Sequence, residues 1–288
     1  MSGSPAVREG DSAKLALPNG RASDHLAAMK ITATIITLNE ADNIREACES
    51  VAWADEILVV DSESTDHTRQ IAEDCGARVI TNLWPGFSKQ KQCAVDAAHH
   101  DWIFSLDADE RISPELCASI DHVRKQDESR LADGYRVARR AFYMNRWIRG
   151  GGWYPDCQLR FFNRTRGHWG DRVVHESVVM DEGTRVENLP GDLLHYSMRD
   201  PSHHRQMIET RYAPLGAEQM YRDGKRTSRL QRVAAGPATF IRSFILKGGF
   251  RDGSAGLTIA RLAAHHAALK HAILYELQNK TELQNRER

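Results

Sequence analysis

The sequence predicts an α/β fold: a mostly parallel, Rossmann-like sheet flanked by helices and followed by a C-terminal helical arm. Four short runs rich in β-branched residues have the character of buried parallel strands. They are Ile31–Leu38, Glu56–Asp61, Arg78–Thr81 and Trp102–Leu106. Helical stretches lie between them, and this alternation produces a right-handed parallel sheet. Ligands of such sheets bind at the carboxyl ends of the strands, so the residues that follow each strand are the candidates for function.

Helix starts are indicated by side chains that can accept hydrogen bonds from free backbone N–H groups. The expected N-caps are Asp42 or Asn43, Ser64 or Thr65, Ser88 and Ser113 for the first to fourth helices. Gly76 is expected to end the second helix as its C′ residue. The third helix is expected to run to about His100, and Pro114 suits the first turn of the fourth.

The chain changes character twice beyond this alternating region. Between Gly134 and His195, the predicted strands Tyr135–Ala138, Leu159–Asn163 and Arg172–Met180 are separated by loops rich in Gly and Trp. From about Asp200 the pattern is helical. We therefore divide the chain into residues 1–28, 29–198 and 199–288. The first part lacks the apolar run of a secretory signal, and we expect it to be a disordered extension.

Composition is that of a globular protein, with 39 Lys or Arg and 39 Asp or Glu among 288 residues. A formal net charge of zero gives no reason to expect a nucleic-acid partner. The five cysteines are scattered, without the close pair of a zinc or redox site, which suits a reduced cytosolic compartment. No apolar run approaches the length of a membrane-spanning helix.

Two carboxylates, Asp107 and Asp109, flank Ala108 directly after the fourth predicted strand. Residues two apart in an extended segment point the same way, so both side chains can face one ion. Mg²⁺ and Mn²⁺ prefer oxygen ligands in a site left open to substrate phosphates, where the ion can offset the charge of a departing diphosphate. The alternative is an acidic surface loop, because Glu110 continues the charge.

Three strand-end motifs stand in order: TLNEADNI at 37–44, VVDSESTD at 59–66 and SLDADE at 105–110. Together they resemble family 2 of the glycosyltransferases, which use nucleotide sugars and have the A-type glycosyltransferase fold. Further sequences are similar to bacterial lipopolysaccharide-core β-glycosyltransferases, namely GGGWYPDCQLRFF at 150–162, VHE at 174–176 and LHYS at 194–197. The resemblance covers roughly Met29 to Tyr196, which makes residues 29–198 the expected catalytic domain.

The resemblance implies a donor site at the strand ends. The residues expected to contact the nucleotide sugar are Thr37, Asn39, Glu40, Asp61, Lys91, Asp107 and Ala108. Alternatives remain open for individual members, since Asn39 can cap a helix and Lys91 can be a solvated lysine. The resemblance also implies that Asp109 is the direct metal ligand, that Asp107 assists the sugar or the ion's water shell, and that His195 is a third ligand. A lone histidine can equally be structural.

An acceptor hydroxyl needs a general base within hydrogen-bond reach. The resemblance places that base at Glu176, whereas Asp156 and Asp171 are rivals that position alone does not remove. Glu176 can otherwise be a surface carboxylate paired with Arg172. The glycines 150–152 suit a flexible loop that closes on substrate, and the arginines between 136 and 172 suit a phosphorylated acceptor.

The helical arm alternates apolar clusters with basic residues over Pro237–Leu246 and Ala255–Leu277. A basic amphipathic helix indicates contact with an anionic membrane surface. In the second segment the expected membrane face comprises Ile259, Leu262, Leu269, Ile273 and Leu277. The competing interpretation is a helical pair that packs on the catalytic domain or on another subunit.

Motifs and resemblance together predict an inverting, metal-dependent hexosyltransferase. We expect a nucleotide sugar donor such as a UDP-hexose, a divalent cation (Mg²⁺ or Mn²⁺), and a lipid-linked saccharide acceptor such as lipopolysaccharide core. The expected location is peripheral, on the cytoplasmic face of the inner membrane. One alternative is a polyprenyl-phosphate glycosyltransferase, and another is a membrane-bound nucleotide-binding protein without catalysis. Redox use of a dinucleotide is not expected, because no Gly-rich fingerprint follows the first strand.

Overall fold

The computed structural model describes residues 29–170, 176–196 and 200–286, with side chains as far as 280. The predicted extension 1–28 lies outside these residues. So do Asp171, the first four residues of the predicted strand Arg172–Met180, and Ser197 of the LHYS sequence.

The first half of the chain forms the parallel sheet that the sequence predicts. Its strands are β1 (Ile31–Thr37), β2 (Glu56–Asp61), β3 (Arg78–Thr81) and β4 (Trp102–Asp107). They lie in the order β3-β2-β1-β4, and every neighbouring pair is parallel. The strands differ from their predicted bounds by at most one residue.

Four helices connect these strands and follow them. They are α1 (Ile44–Ser50), α2 (Thr68–Asp74), α3 (Phe87–Ala97) and α4 (Pro114–Arg124). The fourth begins as predicted, with the Ser113 side chain accepting from the Leu116 N–H and Pro114 in the first turn. Gly76 follows α2 at a φ of +81°, the left-handed conformation expected of a C′ glycine.

The N-cap predictions for α2 and α3 are wrong, and the prediction for α1 is confirmed in position but not in its side-chain hydrogen bond. Asn43 occupies the N-cap position of α1 but makes no side-chain cap. Helix α2 begins only at Thr68, whose N–H donates to Asp66, because Ser64 is bound to Asp61 instead. Helix α3 begins at Phe87, so Ser88 lies within its first turn rather than before it. For Asn43 and Ser64, contacts with distant parts of the chain, Arg111 and Asn39, outweigh the local capping preference.

The second half of the chain adds mixed strands to the same sheet. They are β5 (Glu110–Ile112), β6 (Gly134–Tyr143), β7 (Arg146–Trp147), β8 (Asp156–Asn163) and β11 (Val186–His195). Among the described residues the sheet has nine strands, eight of which follow the order β3-β2-β1-β4-β8-β6-β11-β5, with β7 paired to β6. β6 and β11 are parallel, and β8 is antiparallel to both of its neighbours. A separate hairpin-like pair joins β9 (Gly167–Trp169) to β10 (Val178–Met180).

Apolar clusters cover both faces of the parallel strands. Ile31, Ala33 and Ile35 of β1 pack with residues of α1, α2 and α4. Ile36 turns to the other face, where it packs among residues of β2 and α3. Burial on both faces explains why β1 is a continuous apolar run rather than an alternating one. Each buried isoleucine contributes about 1.5–3 kcal/mol on burial, and this packing makes the sheet a rigid support for its carboxyl edge.

The arm is helical, as predicted. It comprises α5 (Pro201–Met207), a π-helical turn (Ile208–Tyr212), α6 (Ala213–Arg222), α7 (Arg229–Ile241), a second π-helical turn (Arg242–Leu246), a 3-10 turn (Gly249–Asp252) and α8 (Gly253–Arg286). A further 3-10 turn, Glu128–Arg130, precedes β6. None of the helices in the described ranges has the length and apolarity needed to cross a bilayer.

The predicted membrane face of α8 is wrong. Helix α8 packs against α6 and α7. Ile259 is buried, while Leu262, Leu269, Ile273 and Leu277 are half-buried. Ile259 packs with Tyr143 and Ile148, so the start of α8 fits the alternative of packing on the expected catalytic domain, while the rest of the helix packs within the arm.

Candidate functional site

Strand register brings the predicted site residues to one edge of the sheet. Thr37 at the end of β1 pairs with Asp61 at the end of β2, and the adjacent Ile36 pairs with Asp107 at the end of β4. Because these strands are parallel, their carboxyl ends emerge side by side. The edge therefore assembles polar groups from three separate motifs.

Lys91 and Arg160 hold the carboxylate of Asp107. The Nζ atom of Lys91 lies 2.9 Å from Oδ1 of Asp107, and an Nη atom of Arg160 lies 3.3 Å from Oδ2. Both cationic side chains are almost fully buried, at 2% and 3% exposed. The Lys91 ammonium also lies 4.8 Å from the ring centroid of Trp169. The solvated-lysine interpretation of Lys91 is therefore wrong, whereas its neighbour Lys89 is exposed.

Glu110 completes this cluster beneath the surface. Its carboxylate is fully buried, accepts from Arg160 at 2.9 Å and accepts from the backbone N–H of Asp107 at 2.9 Å. The alternative of an acidic surface loop is wrong at this position. Glu110 instead fixes the backbone on which Asp107 stands.

Electrostatics in this cluster keep Asp107 ionised. Burial alone would raise the pKa of Asp107, but the charges of Lys91 and Arg160 outweigh it and hold that pKa well below its usual range. Burial likewise disfavours the charged guanidinium of Arg160. The carboxylates of Glu110 and Asp107 nevertheless hold its pKa above the usual value.

Asp109 and His195 form a second, more accessible pair. Antiparallel pairing sets His195 of β11 opposite Glu110 of β5, next to Asp109. The Nε2 atom of His195 lies 3.4 Å from Oδ2 of Asp109, and both side chains are partly exposed. No cluster of three or more His, Cys, Asp or Glu with metal-ligand geometry occurs among the described residues. One carboxylate and one imidazole fit an ion that takes its remaining ligands from water and substrate phosphates.

Glu176 lies beside the same lysine. Its Oε1 atom is 4.0 Å from Nζ of Lys91, and its side chain is one-quarter exposed. The rival Asp156 is held by two N–H groups of Arg139, at 2.6 and 2.9 Å, and also accepts from Gln158. Arg139 also lies 3.5 Å from Glu110, so Asp156 is joined to the strand-end cluster through that arginine, whereas Glu176 lies 4.0 Å from Lys91 itself. The other rival, Asp171, lies outside the described residues.

The loops after β1 and β2 bind each other. The amide oxygen of Asn39 accepts from the Thr65 N–H at 2.8 Å, and the Asn39 N–H donates to Ser64 Oγ. Asn39 has a φ of +53°, a conformation that asparagine tolerates better than most residues. Glu40 accepts from the side chain of Asn43 at 2.7 Å. These contacts shape the edge of the predicted nucleoside site.

Asp61 lies below the protein surface, where a ligand cannot contact it directly. It has no exposed surface, and its carboxylate accepts from both the N–H and the hydroxyl of Ser64. In this conformation a nucleoside can reach Asp61 only if Ser64 moves. Thr37, by contrast, ends β1 with a buried hydroxyl that has no hydrogen-bond partner among the described residues. Ala108 is buried and its carbonyl accepts from Arg111.

The glycine loop at 150–152 is tied to the arm rather than free. The carboxylate of Asp252 accepts from the N–H of Arg149 at 3.1 Å and from that of Gly150 at 2.7 Å. A Cβ atom at Gly150 would lie 2.4 Å from the carbonyl oxygen of Gly248. Close approach to the arm therefore requires glycine at this position, and closure of the loop on substrate stays a prediction.

Arginines of the middle region are largely paired with carboxylates. Arg139 binds Asp156, and Arg140 lies 3.3 Å from Asp192, which also accepts from the Tyr154 hydroxyl. Their predicted contact with a phosphorylated acceptor stays a prediction.

Three residues of the cluster around Lys91 and Asp107 were not predicted from the sequence as site residues: Glu110, Arg160 and Trp169. Arg160 carried a usable signal, because a charged residue between Leu159 and two phenylalanines interrupts an otherwise apolar strand. An isolated charge in a buried strand requires a partner of opposite sign. Nothing in the sequence identifies that partner as Glu110, fifty residues earlier.

Similarity to known proteins agrees with this architecture. The family model described as "Glycosyl transferase family 2" matches residues 32–179. The lipopolysaccharide core biosynthesis glycosyltransferase LpsC of Rhizobium meliloti (strain 1021) is 32% identical, over 86% of this chain and 93% of that protein. An uncharacterized glycosyltransferase of Rickettsia bellii (strain RML369-C) is 31% identical, over 88% of each chain.

A solved structure of glucosyl-3-phosphoglycerate synthase from Mycobacterium tuberculosis matches 41% of this chain and 45% of its own. Its sequence identity is 24% and its TM-score is 0.33, and this partial likeness carries no argument about ligands. The sheet and its flanking helices have the A-type glycosyltransferase fold. With the family model covering half of the chain and LpsC aligned over nearly all of it, the protein belongs to glycosyl transferase family 2.

Proposed function

We propose that this glycosyltransferase is an inverting, metal-dependent enzyme. It moves a hexose from a nucleotide sugar, such as a UDP-hexose, to a lipid-linked saccharide of the lipopolysaccharide-core type. The observation that carries the proposal is the grouping of Asp109 and His195 beside the Lys91–Asp107 pair at the carboxyl edge of the sheet. Similarity to a protein named for lipopolysaccharide core biosynthesis supports the class of acceptor.

The donor binds across the strand ends. Thr37 offers a buried hydroxyl that finds no partner in the described part of the chain, and Asn39 and Glu40 border the site from the loop after β1. Asp61 binds the nucleoside once Ser64 moves aside. Lys91, Asp107 and the backbone at Ala108 lie where the diphosphate and sugar are expected, and a buried ammonium group is well suited to phosphate oxygens.

Asp109 and His195 would hold a divalent cation, Mg²⁺ or Mn²⁺. When bound, such a cation offsets the negative charge that develops on the departing diphosphate. Asp107, already held by Lys91 and Arg160, contributes its negative charge to the ion's surroundings.

Glu176 accepts the proton of the acceptor hydroxyl. Its carboxylate is partly exposed and 4.0 Å from Lys91, so it lies beside the donor site while remaining accessible to a second substrate. The deprotonated oxygen attacks the anomeric carbon from the side opposite the diphosphate, and the bond to the diphosphate breaks. Configuration at that carbon is therefore inverted. The enzyme works at the cytoplasmic face of the inner membrane, where a lipid-linked acceptor is accessible.

A diphosphate-release assay with a panel of UDP-, GDP- and ADP-sugars tests this function. We expect slow release from one donor in Mn²⁺, loss of release in EDTA, and loss in Asp109→Asn. Asp121→Asn is the matched control, because Asp121 is an exposed carboxylate on α4 that pairs with Lys125. Absence of release from every donor, together with no stabilisation of the protein by any nucleoside diphosphate, would overturn the proposal.

The acceptor chemistry is tested separately with Glu176→Gln. A hydroxyl acceptor requires the base, so transfer should fall by about 10²–10⁴-fold. Unchanged turnover would instead favour a phosphate acceptor, as in a polyprenyl-phosphate glycosyltransferase.

A further inference from the structure

Helix α7 and the π-helical turn that continues it present an apolar face to solvent. Six large apolar side chains at this face and the turn that follows it each expose between 49% and 77% of their surface: Leu230, Val233, Ile241, Ile245, Leu246 and Phe250. We name this set the α7 stripe. Within the helix its members recur at helical spacings, which aligns them along one side.

The opposite face of α7 is the one that packs. Gly236 is buried, and a Cβ atom there would lie only 3.4 Å from the carbonyl oxygen of Ala264 on α8. The guanidinium of Arg232 lies 3.8 Å from the ring centroid of Tyr275, also on α8. A surface helix ordinarily turns its polar side outward. An outward apolar side of this length indicates an interaction surface instead.

Charge identifies the kind of partner. The interval Lys225–Arg251 contains seven Lys or Arg and no Asp or Glu. Arg242 and Arg251 are exposed, and the guanidinium of Arg251 lies 5.8 Å from the ring centroid of Phe250, a member of the stripe. Apolar side chains surrounded by cations fit the interface of an anionic bilayer, where the apolar groups enter the acyl boundary and the cations meet lipid phosphates. A second copy of the chain would bring the same positive charge, which opposes self-association through this face.

We propose that the α7 stripe docks this protein on an anionic lipid bilayer. The π-helical turn that carries Ile245 and Leu246 of the stripe is joined to the glycine loop, because Gly151 donates to the carbonyl of Lys247 at 3.0 Å and Ser243 donates to the carbonyl of Gly151 at 3.1 Å. Docking through α7 therefore sets the orientation of the glycine loop relative to the membrane. The use of this docking, to bring the enzyme to a lipid-linked acceptor, rests on the proposed function. Binding of the stripe to lipid is itself independent of any substrate.

Flotation of the full-length protein with vesicles tests the docking. We expect wild-type protein to float with mixed phosphatidylcholine–phosphatidylglycerol vesicles and not with phosphatidylcholine alone. The double substitution Val233→Glu/Ile241→Glu should weaken anionic-vesicle binding by about tenfold or more, because it places two carboxylates in the stripe. Leu83→Glu is the matched control, since Leu83 is equally exposed but lies in the loop after β3, and it should leave binding unchanged.

Circular dichroism and donor diphosphate release, both measured without vesicles, should be unchanged in the double variant because both side chains are exposed. The proposal is overturned if wild-type protein does not float with anionic vesicles, or if the double variant floats equally well. It is also overturned if the wild-type protein does not bind vesicles and sediments as a dimer that the same substitutions dissociate. If the protein does not float but still releases diphosphate from its donor normally, the docking proposal is wrong and the proposed function stands.

Discussion

The ammonium nitrogen of Lys91 lies 2.9 Å from Oδ1 of Asp107, inside the carboxyl edge of the sheet. The pair joins α3 to the end of β4 and brings a buried positive charge to the predicted diphosphate site. Asp107 is held by one further cation, Arg160. Lys91 therefore serves both the stability of this edge and its electrostatics.

Replacement of Lys91 by Met should affect stability and activity together. Asp107 would lose one of its two cationic partners, and we expect the free energy of unfolding to fall by about 1–3 kcal/mol. Donor turnover should fall by at least about tenfold, with partial recovery in Lys91→Arg. Urea denaturation and diphosphate release measure the two effects. The control is Lys89→Met on the exposed side of the same helix, which should change stability by less than about 0.5 kcal/mol. Equal behaviour of the two methionine variants would contradict the role of Lys91.

Arg160 and Glu110 form a buried pair whose members depend on each other. Arg160→Met removes the nearer of two cations from the buried Glu110 carboxylate, leaving Arg139 at 3.5 Å, and should cost about 3 kcal/mol of stability. Glu110→Gln in the same chain removes that charge and keeps an acceptor for the Asp107 N–H. We expect the double variant to recover part of the loss in a double-mutant cycle. Additive losses from the two substitutions would show that the pair is not coupled.

The carboxylate of Asp252 ties the arm to the glycine loop by accepting from two backbone N–H groups, that of Arg149, which both oxygens share, and that of Gly150. Asp252→Ala leaves buried N–H groups without an acceptor and should lower the free energy of unfolding by about 2–4 kcal/mol. Asp252→Asn retains one acceptor oxygen and should lose less. Asp223→Ala, at an exposed carboxylate of the same arm, is expected to have little effect. A chemical-denaturation series compares the three, and an Asp252→Ala protein as stable as Asp223→Ala would contradict the tie.

His204 should make the protein less stable in mild acid. Burial among Tyr143 and Trp153, with smaller effects from His203 and His266, lowers the pKa of His204 to about 4. The unfolded chain takes up this proton at a pKa near 6.5, so it gains protons before the folded state as pH falls. The contribution of His204 is full above about pH 6.5 and is lost toward pH 4.

Between pH 7.5 and 5 this loss amounts to about 2 kcal/mol. His204→Phe should therefore lose about that much less stability over the same interval, as measured by urea denaturation at each pH. His168→Gln is the control, because His168 is exposed on β9 and should keep the wild-type pH dependence. A His204→Phe protein with the wild-type pH dependence would contradict the assignment.

Local sequence patterns were sufficient to predict the parallel strands and the start of α4. The bounds of β2 and β3 agree with the β-branched runs, since a strand buried on both faces has a continuous apolar signature. Ser113 and Pro114 determine a helix start by themselves. The start of α2 could not be found this way. The backbone N–H of Ser64 donates to the Asp61 carboxylate, and this hydrogen bond depends on the conformation of the loop that follows β2.

Contacts between residues far apart in sequence account for the remaining differences between the predicted and the observed structure. Glu110 follows two acidic side chains in sequence, yet it is buried because Arg160 reaches it from another strand. The apolar pattern of α8 is amphipathic in isolation, and its partners α6 and α7 decide that this face is covered. The same packing leaves the apolar face of α7 outward. Periodicity finds an apolar face but does not say which neighbour covers it.

The most direct test of the catalytic site is calorimetric binding of UDP to wild-type protein and to Asp109→Asn, each in Mn²⁺ and in EDTA. If Asp109 and His195 hold a cation that meets the diphosphate, wild-type affinity should be at least about tenfold higher in Mn²⁺ than in EDTA. The variant should bind with the weaker affinity in both conditions, while Asp121→Asn behaves as wild type. Equal UDP affinity in Mn²⁺ and EDTA, or an undiminished Mn²⁺ effect in Asp109→Asn, would contradict a metal-dependent donor site at this edge of the sheet.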